Sequence, residues 1–516
     1  MKILLAKTAD FIRTHKNSVF IVLLLLVYIF YNYQHILFLH PQGIHFIRQT
    51  DSLSFIRYYL NHGMHFLSPG VYNLMSQDGR AACEFPILYY LSAWIYRLFG
   101  EHEFILRLIN LSICTFGFFS LFRLLFLLIE DTFYAFVFTF LFLSSTILLY
   151  YANNFLPDAA ALGLTLSGWY YSYRFLVDRK RKSLLLSGFL FFALSSLIKV
   201  TTFLNPAAFF LVLILADISK GNGTVSILWK NLMPFIFFTF TLLLVIAWNL
   251  YAIRYNHASH DSYFLLSTRP VWEMDKAGVH EVFDYIFNYW YSSYYYQSTL
   301  HVFAILAILG FVLVKFANRQ LLIITVVVLL GSVSYFLLFF EQFRQHDYYF
   351  LGLIPGLVFV IINAFTSFSN RFPVLSSHLL TRLAFLVLCL LSLNYARQKM
   401  EKRYDTKEDL FSVIGDKLDG SCQYLDEIGV SRKSHVVLLT DLSPNGGLYF
   451  LDRQGWTLKD TSFKSMQTLG YHIFNGAEVI ILTDRNYLEN PNLVKQLGVK
   501  LGEQNNILVY KAFHTN

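Results

Sequence analysis

Long apolar runs broken by short polar stretches fill most of this 516-residue chain. A helix needs roughly 20 apolar residues to cross a bilayer. By that rule about eleven runs qualify: 18–39, 104–129, 132–151, 156–176, 183–198, 202–217, 229–252, 300–316, 320–340, 348–366 and 379–396. The pattern predicts a polytopic α-helical membrane protein. Within the polar stretch 40–103, Ser52–Leu60 and Ile87–Leu98 carry apolar and aromatic residues at helical spacing. Both read as helices lying in the interface plane.

Near residue 398 the pattern changes. Charge rises and the long apolar runs stop. Two short β-type runs, Val436–Leu439 and Val479–Leu482, are each followed by Thr-Asp, and Ile507–Tyr510 makes a third. Leu410–Ile428 reads as a helix before the first of them. Strands alternating with helical stretches predict a small α/β domain with a partly parallel sheet. The expected division is a membrane domain over 1–397, with outer loops 40–103 and 253–299, and a tail domain over 398–516.

Composition supports the membrane reading. Hydrophobic residues make up 56% of the chain and charged residues only 14%, too few to cover a soluble protein of this size. The net charge of +8 matters through its placement. Arg179-Lys180-Arg181-Lys182 is the densest cationic cluster. The positive-inside rule places it in the cytoplasm if 183–217, with Lys199 in its middle, forms two helices. That choice puts the N-terminus inside, and puts 40–103, 253–299 and the tail outside. The short loops and basic N-terminus point to a bacterial inner membrane, with the tail in the periplasm. The apolar run after the N-terminal cations is long and lacks a small-residue cleavage site, so it reads as a retained anchor. Basic loops of this kind report orientation, and nucleic acid is not an expected partner. The four cysteines, Cys83, Cys114, Cys389 and Cys422, form no metal-binding spacing.

Polar residues with candidate chemistry gather on the outer side. Asp51 is the first carboxylate after the first apolar run. It reads either as the N-cap of a helix starting at Ser52 or as a general base in a partly dry cleft. Glu84-Phe85-Pro86-Ile87-Leu88-Tyr89-Tyr90 follows, then Phe99-Gly100-Glu101-His102-Glu103, then Arg107-Leu108-Ile109-Asn110. Asp158 follows Pro157 at the next outer turn, as a helix cap or an orienting carboxylate. Lys199, Arg344 and His346 lie at later outer turns, and Arg80 lies in the first loop. Each is a candidate clamp for a phosphate. Lys199 could instead snorkel to the surface. The loop 253–299 is rich in Tyr and Trp, which suits either a sugar or a membrane belt.

In this order and spacing, the motifs resemble the GT-C membrane glycosyltransferases, most nearly the family 39 branch of protein mannosyltransferases and aminoarabinose transferases. Asn154-Phe155-Leu156-Pro157-Asp158, Lys199 and His346-Asp347-Tyr348-Tyr349 with Pro355 extend the resemblance over about residues 20–395. It implies an enzyme that takes a sugar from a polyprenyl phosphate, such as undecaprenyl phosphate, on the outer face of the membrane. Asp51 would be the catalytic base. Lys199, Arg80, Arg344 and His346 would bind the donor phosphate, and Glu84, Asp158, Asp347 and Tyr348 would orient sugar or acceptor. The acceptor would be a lipid, glycan or protein hydroxyl. Two departures stand out. Many members have Asp-Glu where this chain has Asp51-Ser52, and the aminoarabinose branch has Lys where Glu84 stands.

The chemistry agrees with this from the residues alone. A phosphate leaving group is anionic, so it needs cations and no general acid, and one carboxylate base suffices. Asp51 and Glu84 could together hold a divalent Mg or Mn. The competing readings are a transporter or flippase of lipid-linked sugars, and a glycan polymerase or ligase. Transporters usually carry internal repeats and broken mid-membrane helices, whereas the polar residues here collect at one face.

Overall fold

A computed structural model describes residues 11–76, 78–261, 263–264, 266–439, 441–459 and 466–513. The chain forms two compact units. The first joins Met1–Leu37, Arg107–Trp248 and Ser267–Glu401, and the second joins Phe38–Leu106, Asn249–Leu266 and Lys402–Asn516.

The first unit is helical. Among the described residues of the chain, six helices are long and apolar enough to cross a membrane: Phe104–Ile129, Val200–Ser219, Thr224–Ala258, Arg319–Leu338, Asp347–Arg371 and Leu379–Arg403. Two bent pairs raise the number to eight, against about eleven expected. The differences have local causes. The first apolar run stops at Phe30, because Asn32 adopts a left-handed conformation. The run 132–151 bends by 80° where Ser144 bonds back to the Leu141 carbonyl and Ser145 caps a new helix. The stretch 183–217 forms two helices, Lys182–Ile198 and Leu204–Ser219, with Lys199 at the break.

Packing inside this unit uses small and polar residues, as in other membrane bundles. Gly117 and Gly163 meet backbone to backbone, and a Cβ on Gly117 would collide with the Gly163 main chain. Trp169 packs edge-on against Phe192, Phe209 and Phe359, and its indole N–H donates to Asn205 Oδ1 at 2.8 Å.

The second unit is organised around a five-stranded sheet in the order β2-β1-β3-β5-β4. Its strands are β1 (Val436–Leu439), β2 (Gly455–Leu458), β3 (Val479–Leu482), β4 (Leu497–Gln504) and β5 (Ile507–Ala512). β1 runs parallel to both β2 and β3, and β5 pairs antiparallel with β3 and β4. Every residue of β1 and β3 is buried, as expected of strands covered on both faces. The expected helix over Leu410–Ile428 is broken at Gly420, whose φ is +74°.

The first loop packs within this unit. Leu74 N–H donates to the Gly455 carbonyl and Gly455 N–H to the Tyr72 carbonyl, so the loop lies along the edge of β2. Gly455 has no room for a side chain there, since a Cβ would strike the Val436 carbonyl. The helix Phe46–Asn61 starts six residues earlier than the sequence pattern suggests. Gly43 and His45 turn the chain with positive φ, and Asp409 accepts from the Phe46 N–H. The eight residues from Gln49 to Ile56 are all buried, so this helix is core and not an interfacial surface helix. Thr50, Ser52 and Ser54 bond their hydroxyls back to carbonyls one turn earlier, which satisfies them in that core. Ile87–Phe99 buries one face and exposes apolar side chains on the other. Leu88, Tyr89, Ala93 and Tyr96 are buried, while Leu91, Trp94, Leu98 and Phe99 are exposed.

The Gly117–Gly163 crossing yields a stability test. Gly163→Leu should lower the detergent-solubilised melting temperature through overpacking, by roughly 1–3 kcal/mol of stability. An unchanged melting temperature would show that the two helices do not pack this closely.

Candidate functional site

Asp51 lies in the second turn of the helix Phe46–Asn61 and is not a cap. It is 1% exposed. Three side chains hold its carboxylate. The Tyr263 hydroxyl donates to it, 3.0 Å from each oxygen. Asn445 Nδ2 donates to Oδ1 at 2.7 Å. Arg48, three residues earlier on the same helix, reaches Oδ2 at 3.5 Å. The other arm of the Arg48 guanidinium bonds both oxygens of Glu84 at 3.1 and 3.2 Å. Glu84 also accepts from Tyr89, whose hydroxyl lies 3.2 Å from Ser52 Oγ.

Burial raises the Asp51 pKa from 3.8 to about 6. Arg48, Asn445 and Tyr263 pull it down, and Glu84 pushes it up by like-charge repulsion. A rise of that size is roughly 3 kcal/mol of bias against the charged form. The group is thus poised near neutrality, where a carboxylate serves best as a proton acceptor.

Asp51 and Glu84 do not fit as a metal pair. The Arg48 guanidinium already stands between them as their shared cation. No group of three or more His, Cys, Asp or Glu side chains suited to a metal occurs among the described residues.

A second polar cluster lies inside the helical unit. Lys199 Nζ pairs with Asp158 Oδ1 at 2.6 Å and lies over the rings of Tyr348 and Tyr349 at 5.1 and 4.8 Å. Lys199 therefore points inward and does not snorkel. Asp158 is in the first turn of its helix without capping it. The Tyr151 hydroxyl donates to Asp347 at 2.7 Å, and His346 stacks on Tyr348. Arg107 and Asn110 place Asp158. The Arg107 guanidinium donates to the Ile36 carbonyl and lies 4.1 Å from the Phe155 ring centre. Asn110 Nδ2 donates to the Asn154 and Leu156 carbonyls at 2.9 and 3.2 Å, pinning the turn that Pro157 completes.

Of the sequence candidates, Asp51 and Glu84 share one cluster through Arg48, while Lys199, Asp158, Tyr348, Asp347 and His346 make up the other. Arg80 and Arg344 join neither through these contacts. Arg80 pairs with Asp78 on the surface, and Arg344 pairs with Glu281 at 2.9 Å. Sequence reasoning missed Tyr263 and Asn445. A signal was present for each: Tyr263 belongs to the aromatic loop, and Asn445 to Ser443-Pro444-Asn445-Gly446-Gly447, a turn-forming run just beyond β1. The four cysteines are all free thiols.

No protein-family model and no curated protein sequence matches the chain. Solved structures do. The chain is similar to ArnT from Cupriavidus metallidurans in the apo state, with a TM-score of 0.61 and 12% identity over 97% of this chain and 98% of that one. Against ArnT bound to undecaprenyl phosphate the TM-score is 0.60 at 12% identity, over 96% and 97% of the two chains. It is also similar to the apo oligosaccharyltransferase of Archaeoglobus fulgidus, with a TM-score of 0.50, 11% identity, and coverage of 90% and 69%. The arabinofuranosyltransferase AftD from Mycobacteria gives a TM-score of 0.51 at 11% identity, over 97% of this chain and 40% of that one. The fold of this chain is the GT-C fold of membrane glycosyltransferases, a multi-pass helical bundle with a small C-terminal sheet domain.

The Lys199–Asp158 pair yields a direct test. Breaking a buried pair strands the remaining charge, so Lys199→Met should destabilise the protein by roughly 3–5 kcal/mol. Adding Asp158→Asn should recover most of that loss. Thermal unfolding in detergent reads both. A single variant as stable as the parent would contradict the pairing.

Proposed function

We propose that the chain is a glycosyltransferase that moves a sugar from a polyprenyl phosphate to a hydroxyl acceptor at the outer face of the membrane. The observation that carries this reading is the buried, hydrogen-bonded Asp51, at the position the motif pattern marks for a base, in a chain with the GT-C fold. One of the similar ArnT structures has undecaprenyl phosphate bound, and that likeness supports the same class of donor here.

The chemistry is a single displacement with inversion. The acceptor hydroxyl takes the position of the Tyr263 hydroxyl against the Asp51 carboxylate and gives up its proton there. Its oxygen attacks the anomeric carbon, and the bond from that carbon to the phosphate oxygen breaks. The polyprenyl phosphate leaves as an anion and needs only cationic neutralisation. In the helical unit, Lys199 is the buried cation proposed for a donor phosphate, and His346 is proposed with it; Arg80 and Arg344 are surface candidates for the same charge. Asp158, whose Oδ2 accepts no hydrogen bond among the described residues, has an oxygen free for a sugar or acceptor hydroxyl, with Asp347 and Tyr348 alongside. Glu84 orients the base through Arg48. No step needs a metal at Asp51. The basic cluster Arg179–Lys182 supports an inner-membrane orientation with the N-terminus inside and the site in the periplasm. The acceptor class stays at lipid, glycan or protein.

Asp51→Asn should abolish transfer, a loss of about a hundredfold to ten-thousandfold, while the protein inserts and folds normally. In the parent enzyme kcat/KM should fall tenfold per pH unit below about 6 and level off above it, because the base must be ionised. Mass spectrometry of cell-envelope glycans and lipids from cells carrying the parent gene, the Asn variant or neither reads the first outcome and identifies the acceptor. A steady-state pH profile reads the second. Full activity in the Asn variant would remove Asp51 from the chemistry.

A further inference from the structure

The C-terminal α/β domain carries no motif that the function above uses, yet one of its loops ends on the base. β1 runs to Leu439, and the chain then turns through Asp441-Leu442-Ser443-Pro444-Asn445-Gly446-Gly447 into a short helix. Asp441 anchors this turn. Its Oδ1 accepts the Ser443 N–H and the Ser443 hydroxyl, both at 2.7 Å, and its Oδ2 accepts the Gly447 N–H at 2.7 Å. Ser443 Oγ in turn accepts the Gly446 N–H at 3.0 Å. Both glycines are required by space. A Cβ on Gly446 would strike Ser443 Oγ and the Phe46 ring, and one on Gly447 would strike Leu438 and Asp441. The turn can therefore lie flat against the helix that carries Asp51.

That arrangement has one product. The Asn445 amide is fully buried, donates to Asp51 Oδ1 at 2.7 Å, and uses its own oxygen to accept the Asn73 N–H at 2.9 Å. The bond to Asn73 fixes which end of the amide faces the carboxylate, so the N–H side is the one presented. Such a site is the place where parallel strands generally present functional groups, beyond their carboxyl ends and where neighbouring connections diverge.

We propose that Asn445 is a positioning residue for the base, and that the α/β domain serves the reaction by presenting it. This rests on the reading of Asp51 as the base. The amide holds Oδ1 in place and favours the ionised carboxylate, leaving the face now occupied by the Tyr263 hydroxyl for the acceptor. Other groups also set the charge on Asp51: Arg48 on its own helix, Glu84 from the segment before Ile87, and Tyr263 from the loop beyond Ala258. The tail contributes a neutral donor there, with Asp441 one turn behind it.

The test is the pH profile of the full-length enzyme in membranes, with Asp51→Asn in parallel. Asn445→Ala should fold, retain its donor KM and move the acid limb of kcat/KM upward by about one pH unit, the worth of one lost hydrogen bond to a charge. Asn445→Asp, nearly the same shape, should move the limb further up by setting a second carboxylate against the first. If the alanine variant does not accumulate, Asn445→Ser, which keeps a short donor, should give a smaller shift in the same direction. A lower rate with the acid limb unmoved in these variants would reduce Asn445 to a packing role and overturn the proposal alone. So would an unchanged rate and profile. Activity surviving in Asp51→Asn would overturn the base reading, and this proposal with it.

Discussion

A carboxylate removed from water must be held by donors or it will take up a proton, and Asp51 shows that constraint most clearly. One holder is local, Arg48 from the same helix, and two are remote, Tyr263 from beyond the long helix Thr224–Ala258 and Asn445 from the tail. Tyr263 and Asn445 reach the carboxylate only through the packing of the second unit. The sheet, the buried helix Phe46–Asn61 and the loop that lies along β2 together make a rigid setting for one acidic group. Donors offset burial only in part, and the pKa is left raised, at about 6.

The helical unit meets the same constraint with a full ion pair. Lys199 sits where two short helices meet, and Asp158 lies at the start of another, so each charge is placed where main-chain geometry already breaks. Asn110 gives its hydrogen bonds to the Asn154 and Leu156 carbonyls in the turn before Asp158, and Arg107 donates to the Ile36 carbonyl. Polar side chains inside such a bundle are tolerated when they satisfy one another or freed backbone groups. Buried charge and helix interruption therefore occur together in this unit.

Much of this was legible in the sequence because the signals are local. Apolar runs mark the helices, and the hydrophobic stretches at Val436, Val479 and Ile507 mark three of the five strands. Asp51, Glu84, Asp158 and Lys199 stand out because charge is rare among such neighbours. What the sequence hid depends on contacts between remote positions. Tyr263 and Asn445 lie 212 and 394 residues from the carboxylate they hold, and no periodicity encodes that. β2 was missed because Gly-Trp-Thr-Leu, as short as β1 and β3, lacks their unbroken aliphatic run, and β4 because two glycines and two charges interrupt it. The helix at Phe46 was placed late because its start depends on Asp409, in the tail, which local pattern cannot supply.

The central claim is that this fold breaks the bond between a sugar and a polyprenyl phosphate and does not merely carry the lipid across the membrane. The most direct measurement is phosphorus NMR of purified protein in vesicles containing a polyprenyl-phosphate sugar and a hydroxyl acceptor. The account predicts free polyprenyl phosphate appearing in step with glycosylated acceptor, with neither formed once the Asp51 carboxylate is replaced by an amide. Lipid-linked sugar crossing the vesicle membrane intact, with no polyprenyl phosphate released, would contradict it.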